Sequence, residues 1–327
     1  MARPVRLGIG ARQLRVTLSG EAFPAVGQLL PHRISDLEEA FGRGDILDDV
    51  GGVLSPTSPL RAGQKIWAFD TVPDEPDAPI VLDIVAQTDR WIIVDKPHGL
   101  ATMPRGSHVA RTATVAARRQ FVNDDVVAAH RLDALTAGLL LLTTEPRWRG
   151  VYQQLFEQRK VRKEYRAVVD TSGTHWHERL TAYADPGNRA ETGALTFPRE
   201  YRVELHLDKP RGSLQTLVRP GETHRPNSVT DIEILGADAH RGYLLLRPYT
   251  GKTHQLRVTC AHLGMPILGD PLYPQVADHT DLSLEDPRRG GIPLQLLAES
   301  LDFVDPIDGQ HVSVHSRQAL DLWDRDY

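Results

Sequence analysis

The segment His130-Arg131-Leu132-Asp133 runs into Gly138-Leu139-Leu140-Leu141-Leu142 and joins charged or titratable side chains to a continuous apolar run. A short run of leucines is typical of a fully buried strand. The charged residues must then lie at the start of that strand, with Leu132 as the apolar anchor among them. A carboxylate beside an arginine at this point suits either catalysis or a structural salt bridge, and the rest of the chain has to distinguish the two.

The composition is that of an ordinary soluble globular protein. Of the 327 residues, 40% are hydrophobic and 25% are charged, and no stretch approaches the roughly 20 apolar residues that a membrane span requires. The N-terminal residues lack the apolar core of a secretory signal, and the single Cys260 fits a reducing compartment, so we expect a cytoplasmic protein. No cysteine pair or His-Glu-x-x-His spacing indicates a metal site, and nothing demands more than a monomer.

Charge is distributed unevenly along the chain. The net charge of -5 argues mildly against a nucleic acid partner, because phosphate binding requires lysine and arginine. Between Arg147 and Arg166, however, seven basic residues stand against only Glu157 and Glu164. Such a patch can guide a polyanion, although a solvated helix face explains the same pattern.

The succession of apolar runs predicts a mixed α/β (α+β) fold with a largely antiparallel sheet. Many short strands with hairpin-like spacing favour antiparallel pairing, and the helices between them are expected to flank the sheet. The clearest helices are expected at 112–121, 147–158 and 258–263, with Thr253 as the N-cap of the last. A further short helix is expected up to Trp323.

A linker divides the chain into two expected domains. The segment Thr71–Pro79 contains three prolines and three acidic residues, a composition typical of linkers. We therefore expect a small N-terminal accessory domain over residues 1–78 and a main domain over residues 79–327.

Four motifs carry the remaining information. They are Lys96-Pro97-x-Gly99; His130–Asp133 with Thr136 and Gly138-Leu139-Leu140; Lys163-x-Tyr165-x-Ala167; and Gly251-Lys252-Thr253-His254-Gln255-Leu256-Arg257 with Ala261, Gly264, Pro266, Gly269 and Asp270. In this order and at this spacing they resemble the RluA family of RNA pseudouridine synthases, over about residues 80–310. Each motif alone is weak, but their joint occurrence is specific.

The resemblance implies a pseudouridine synthase fold with a central RNA-binding cleft. It also implies isomerisation of specific uridines in structured RNA, either rRNA or tRNA, without a metal or organic cofactor. By this similarity Asp133 is the essential carboxylate or nucleophile, Tyr165 assists at the base, and Arg257 pairs with Asp133. Arg131 matches the arginine that fills the gap left by the flipped nucleotide. The other candidate RNA contacts are His130, Lys163, Lys252, Arg159 and Lys160.

Elementary chemistry agrees with these roles. Breaking a glycosidic bond develops positive charge at the sugar, which an ionised carboxylate can trap or stabilise. A neighbouring cation such as Arg257 keeps that carboxylate ionised in a dry pocket. A base inside folded RNA must leave its stack to be reached, and the planar side chain of Arg131 can occupy the vacated space.

Structural alternatives exist for each residue and for the whole protein. Asp133 could cap a loop, Tyr165 could pack on a half-buried strand, and Lys163 could be solvated. The chain could also be a non-catalytic RNA-binding ribosome-assembly factor on the same fold, or a glycoside- or nucleoside-processing hydrolase. The hydrolase would need a second catalytic carboxylate, and no motif offers one beside Asp133.

Two features depart from the family pattern. Residues 41–66 resemble, in degenerate form, the small RNA-binding domain of the ribosomal protein S4 type, but acidic residues replace its expected lysine-rich face. We expect this segment to contribute little phosphate binding. In addition, Ala137 stands where serine is common, and Met103 and Leu297 stand where histidine is common.

Overall fold

The structure, a computed structural model, describes residues 4–69, 79–104, 109–173, 175–183, 199–219, 225–275 and 291–323. The chain divides into two compact units, Met1–Val81 with Met103–Val126, and Leu82–Thr102 with Val127–Tyr327. The predicted linker lies almost entirely in residues 70–78, outside the described residues. The proposed boundary between residues 78 and 79 therefore stays a prediction.

Within its described residues, the first unit combines short strands with three α-helices. The strands are β1 (Val5–Arg6), β2 (Ile9–Gly10), β3 (Arg12–Arg15), β4 (Gly20–Glu21), β5 (Ile46–Leu47), β6 (Pro59–Leu60) and β7 (Lys65–Ala68). The helices are α1 (Ala22–Leu29), α2 (Leu37–Gly42) and α3 (Ala113–Phe121), with a 3-10 helix at Pro31–Asp36. Helix α3 was expected at 112–121, and the Thr112 hydroxyl caps it by accepting from the Val115 N–H at 3.3 Å.

Several arginines of this unit are engaged by groups of the same unit. Arg33 pairs with Asp36 at 2.8 Å and Arg43 pairs with Asp45 at 2.9 Å. The expectation that the unit contributes little phosphate binding stays a prediction.

The second unit contains one large sheet with helices. Its strands are β8 (Asp83–Gln87), β9 (Trp91–Lys96), β10 (Val127–Ala128), β11 (Ala137–Thr143), β12 (Arg162–Asp170), β13 (Arg199–Leu205), β14 (Leu207–Asp208), β15 (Leu217–Val218), β16 (Ser228–Ala237), β17 (Arg241–Pro248), β18 (Leu296–Val304) and β19 (His311–His315). Its helices are α4 (Pro146–Glu157), α5 (Trp176–Thr181) and α6 (Gln255–His262).

The large sheet has ten strands and is mainly antiparallel, as the sequence predicted. The main path runs β13-β16-β17-β12-β18-β11-β9-β8, with β10 paired to β11 and β19 paired to β18. Among these pairs only β11 and β18 are parallel. Strand β18 therefore comes late in the chain but lies between β11 and β12 in the sheet.

Gly138 makes the parallel pairing of β11 and β18 possible. Its φ is +108°, and a Cβ built there would lie 2.2 Å from the carbonyl oxygen of Ala298 on β18. Glycine adopts this conformation without steric cost and lets the two backbones approach closely. This explains why a glycine interrupts the otherwise apolar strand at its second residue.

Apolar clusters fix the helices against the sheet. Helix α6 contributes Leu256, Val258 and Cys260 to a cluster that includes Ala167 of β12 and Leu244 of β17. Helix α4 contributes Tyr152 and Leu155 to a second cluster, in which Leu139 and Leu141 of β11 and Ile93 of β9 are buried. Cys260 is thus a buried core residue.

Two local predictions were wrong. The N-cap of α6 is His254 in the left-handed conformation (φ 55°, ψ 20°), and its side chain makes no capping hydrogen bond. Thr253 is therefore not the cap. The described residues between 316 and 323 form turns and not the predicted helix up to Trp323. They are held because Asp95, 2% exposed, accepts hydrogen bonds from Ser316, the Arg317 N–H and Gln318.

Candidate active site around Asp133

Asp133 lies in the turn between β10 and β11, and the backbone around it is fixed on both sides. The Thr102 hydroxyl donates to the Leu132 carbonyl at 2.7 Å and accepts from the Leu132 N–H at 3.1 Å. The Thr136 N–H donates to the Asp133 carbonyl at 3.1 Å. These hydrogen bonds hold the backbone of Asp133 in place. Its side chain remains 20% exposed, so a substrate can reach it.

Lys96 also holds the turn that carries Asp133. Its side chain is fully buried, and its ammonium donates to the carbonyl oxygens of Leu100 at 2.7 Å, Pro97 at 3.0 Å and Ala134 at 3.1 Å. Burial lowers the pKa of Lys96 to about 7, while the charge of Asp133 acts in the opposite direction. No separate role for this lysine followed from the sequence; its burial is the feature that assigns one.

Arg257 of α6 lies between two carboxylates. Its Nη1 is 3.8 Å from Asp133 Oδ2, while Nε and Nη2 donate to Asp270 Oδ2 and Oδ1 at 2.7 Å each. Burial lowers the pKa of the Arg257 guanidinium, but the hydrogen bonds to Asp270 and the charges of Asp270 and Asp133 outweigh this effect and raise it. The predicted proximity of Arg257 and Asp133 is thus present in the structure, with a guanidinium that stays charged.

Asp270 was part of a motif but had no assigned role. Its side chain is fully buried, and its Oδ1 also accepts from the N–H groups of Leu272 and Tyr273 at 2.9 and 3.2 Å. A bidentate pair of this geometry fixes the plane of the guanidinium. Asp270 therefore aims the remaining Nη1 of Arg257 at Asp133. Because both of its oxygens are engaged, Asp270 is not available as the second catalytic carboxylate that a hydrolase would need.

Tyr165 lies on β12 beside the same carboxylate. Its backbone is opposite Ala298 of β18 and Leu246 of β17, and its side chain packs against the cluster that holds α6. Burial raises the pKa of the Tyr165 phenol, and the charge of Asp133 raises it further, so the phenol stays protonated. Within the described residues its hydroxyl has no hydrogen-bond partner, so a substrate could use it.

His254 is a neighbour of this group that the sequence reasoning missed. Its Nδ1 lies 3.1 Å from the hydroxyl of Tyr273. Burial lowers the pKa of His254 to about 4; the charge of Asp133 opposes that shift and the charge of Arg257 adds to it. The ring is therefore neutral near pH 7. The signal that could have found it is its position inside the motif that also carries Arg257.

His130 makes contacts typical of a structural residue. Its Nε2 accepts from the Leu141 N–H at 3.1 Å, and its ring stacks on Phe156 with centroids 4.2 Å apart. Burial, together with the charge of Lys163, lowers the pKa of His130 to about 3. Burial also lowers the pKa of Lys163 to about 8. The suggested RNA contacts of both residues stay predictions.

Four of the candidate RNA contacts are exposed: Arg131, Lys252, Arg159 and Lys160. None of them forms an ion pair within the described part of the chain. Arg159 adopts a left-handed conformation (φ 58°) where α4 ends, and the Lys160 N–H closes that helix by donating to the Leu155 carbonyl at 2.8 Å. Exposed cations without carboxylate partners are available to phosphate groups.

The described residues carry no sign of a metal site or a membrane-spanning helix. They contain no group of three or more histidine, cysteine, aspartate or glutamate side chains placed to hold a metal ion. They also contain no helix that is long and apolar enough to cross a membrane. The arrangement in hand is therefore an accessible carboxylate beside a fixed guanidinium, a protonated phenol and a neutral imidazole.

Comparison with known proteins identifies the family. Residues 90–262 match the model of the RNA pseudouridylate synthase family. Ribosomal large subunit pseudouridine synthase D of Xanthomonas campestris is 28% identical over 319 residues, covering 93% of this chain and 87% of that protein. tRNA pseudouridine synthase C of Haemophilus ducreyi is 28% identical over 240 residues, covering 71% of this chain and 89% of that protein.

A solved structure shows the same fold. Human RNA Pseudouridylate Synthase Domain Containing 1 aligns with a TM-score of 0.51 and 21% identity, covering 77% of this chain and 94% of that chain. The predicted fold class is thus confirmed, with its mainly antiparallel central sheet. Because the matching family model spans more than half of the sequence, this chain belongs to the RluA-type family of RNA pseudouridine synthases, which are isomerases that modify RNA.

Proposed function

We propose that this enzyme isomerises specific uridines in structured rRNA or tRNA, with Asp133 as the essential carboxylate and nucleophile. The observation that carries the proposal is the environment of Asp133. Its carboxylate is accessible, its backbone is anchored by Lys96 and Thr102, and its charge is supported by Arg257. An ionised carboxylate that is held in place, and whose oxygens are not occupied by protein hydrogen bonds among the described residues, suits attack on an electrophilic carbon.

The reaction moves one bond and one proton. The N1–C1′ bond of the uridine breaks, the C5–C1′ bond forms, and the proton lost from C5 is balanced by a proton gained at N1. Asp133 traps or stabilises the sugar while the base is detached. Arg257 places a positive charge beside the Asp133 carboxylate, with Nη1 at 3.8 Å from Oδ2. Tyr165, protonated and without a protein partner for its hydroxyl among the described residues, offers a flat face and one hydrogen bond to the detached uracil.

RNA binding is assigned to the exposed cations. A target base inside folded RNA must be flipped out, at a cost of a few kcal/mol. Arg131 is exposed two residues before Asp133, and its planar side chain suits the space that the base leaves. Lys252, Arg159 and Lys160 then contact phosphate groups. An RNA substrate also favours the cytoplasm as the compartment where the enzyme works.

The substrate class is open between two RNAs. The Xanthomonas relative is named for the ribosomal large subunit and the Haemophilus relative for tRNA, and both support a structured RNA. The proposal therefore includes both classes, which an assay with each RNA separates.

The test is tritium release from RNA that carries uridine tritiated at C5. Wild-type protein and the Asp133→Asn variant are incubated separately with rRNA and with tRNA transcripts. We expect release from at least one RNA with the wild type and none with Asp133→Asn, while the variant still binds that RNA. The matched control is Asp83→Asn on the edge strand β8, an exposed carboxylate that should be dispensable. Full activity of Asp133→Asn, or no release from either RNA with the wild type, would contradict the proposal.

A further inference from the structure

The side chain of Tyr273 touches two separate parts of the second unit. It is 5% exposed. Its hydroxyl accepts from the Thr216 N–H at 2.6 Å and lies 3.1 Å from both the Thr216 carbonyl oxygen and His254 Nδ1. One phenol thus joins the β14–β15 hairpin to the residue that precedes α6.

The rest of Tyr273 contacts the pair that supports Asp133. The guanidinium of Arg257 lies 5.5 Å from the centre of the tyrosine ring, within the range of a cation–π contact. The Tyr273 N–H donates to Asp270, which holds Arg257 in its bidentate pair. A shift of Tyr273 would therefore change its contacts with both Arg257 and Asp270.

These contacts contribute to the position of the hairpin, which is also held by two hydrogen bonds between Asn227 and the backbone of Leu207. Its strands β14 and β15 have two residues each, and a two-stranded hairpin of this size is marginal by itself. Two more bonds attach it to the same region: the Thr216 hydroxyl donates to the Thr253 carbonyl at 2.9 Å, and Gln215 donates to the Leu272 carbonyl. The Tyr273 hydroxyl binds both the N–H and the carbonyl oxygen of Thr216.

We propose that Tyr273 is a positioning residue for the isomerisation, because it couples the β14–β15 hairpin and His254 to the Arg257–Asp133 pair. The inference rests on the proposed role of Asp133. The hairpin presents Arg211 and Leu214 to solvent at its tip, so contact of this tip with RNA is transmitted through Thr216 and Tyr273 to Arg257.

The direction in which the Tyr273 hydroxyl donates its proton also determines which ring nitrogen of His254 is protonated. The phenol has one proton to give and two acceptors at equal distance. When that proton goes to the Thr216 carbonyl, His254 must carry its own proton on Nδ1 and donate it to the phenol oxygen. Nε2 of the neutral ring is then left as an acceptor. Removing the hydroxyl takes a shared partner from Thr216 and from the imidazole, while the bonds of Thr216 to Thr253 and of Gln215 to Leu272 still hold the hairpin.

The test compares Tyr273→Phe with Tyr183→Phe. The control removes a second tyrosine hydroxyl bonded to a histidine, His262 Nε2 at 3.2 Å, where α6 ends. We expect Tyr273→Phe to lower the single-turnover rate at saturating enzyme by about ten- to a hundredfold, with the RNA dissociation constant changed less than twofold. Tyr183→Phe should keep the wild-type rate. Thermal unfolding of each variant shows whether it is folded at the assay temperature.

His254→Ala supplies a second measurement that does not depend on the folding of Tyr273→Phe, and the two substitutions together form a double-mutant cycle. Coupling predicts that His254→Ala alone slows the single-turnover step and that the double variant is no slower than the slower single variant. A wild-type rate in Tyr273→Phe, an equal loss in Tyr183→Phe, or fully multiplicative losses would overturn the inference. Failure of the proposed function is distinct, because the wild type itself would then release no tritium.

Discussion

Replacing Lys96 by methionine tests whether the Asp133 turn depends on a buried cation. Methionine has a similar length and no donor, so the carbonyl oxygens of Leu100, Pro97 and Ala134 lose their partner. Only the bond to Leu100 is fully buried, whereas water can reach the other two carbonyls in part. The substitution thus removes the anchor of the turn without creating a large cavity.

The stability difference between the wild type and Lys96→Met should increase as the pH rises. Burial lowers the pKa of Lys96 to about 7, whereas an unfolded lysine has a pKa of about 10.4. Between these values the unfolded chain binds a proton that the folded protein does not, so the wild type gains stability from this group as the pH rises. The change is about 2 kcal/mol between pH 7 and pH 9. At pH 9 the neutral amine still donates two hydrogen bonds, worth about 1 to 1.5 kcal/mol each.

We therefore expect Lys96→Met to be nearly as stable as the wild type at pH 7 and about 2 to 3 kcal/mol less stable at pH 9. Urea denaturation at both pH values measures this. The single-turnover rate should also fall about tenfold or more, because the Asp133 backbone is less well fixed. Lys65→Met, on an exposed position of β7, is the control. Equal stability deficits at pH 7 and pH 9, or an unchanged rate, would refute the reasoning.

Three further substitutions test other contacts. Asp270→Asn leaves the buried Arg257 without its main counter-charge, so we expect a loss of about 3 kcal/mol in the free energy of unfolding and a strong loss of tritium release. Gly138→Ala places a Cβ 2.2 Å from the Ala298 carbonyl and should cost more than about 3 kcal/mol, measured by urea denaturation; a stable variant would contradict the described pairing. Arg131→Lys keeps the charge but loses the planar side chain, so the salt dependence of RNA binding should persist while the single-turnover rate falls about tenfold. An unchanged rate in that variant would argue against stacking by Arg131.

The sequence predicted those features that depend on local pattern or on a complete motif. The leucine run became β11, and the helix expected at 147–158 became α4, because periodicity and burial agree there. The proximity of Arg257 to Asp133 followed from the resemblance and is present at 3.8 Å. The cap of α6 was missed because Thr253 has the right chemistry, but the backbone turns one residue later.

The features that the sequence did not predict depend on contacts between residues far apart in the chain. The role of Lys96 depends on the Ala134 carbonyl and that of Asp270 on Arg257, and neither contact leaves a periodic trace in the sequence. Ala137 and Leu297 both depart from the family pattern, and the two residues are opposite each other in the β11–β18 pairing and share one apolar cluster. Where the family pattern often has a polar pair, this chain has an apolar one. No single position could have indicated that these changes compensate.

The position of β18 in the sheet determines when the central part of the sheet can be completed during folding. Ala298 lies opposite both Gly138 of β11 and Tyr165 of β12, although it follows Gly138 by 160 positions in the chain. Pairings between residues so distant in sequence form slowly, since a long loop must close first. During synthesis, the segments that carry Asp133, Tyr165 and Arg257 all leave the ribosome before the strand that joins their halves of the sheet. We expect catalytic competence to arise only when this last central strand is inserted, so a nascent chain does not modify the RNA around it.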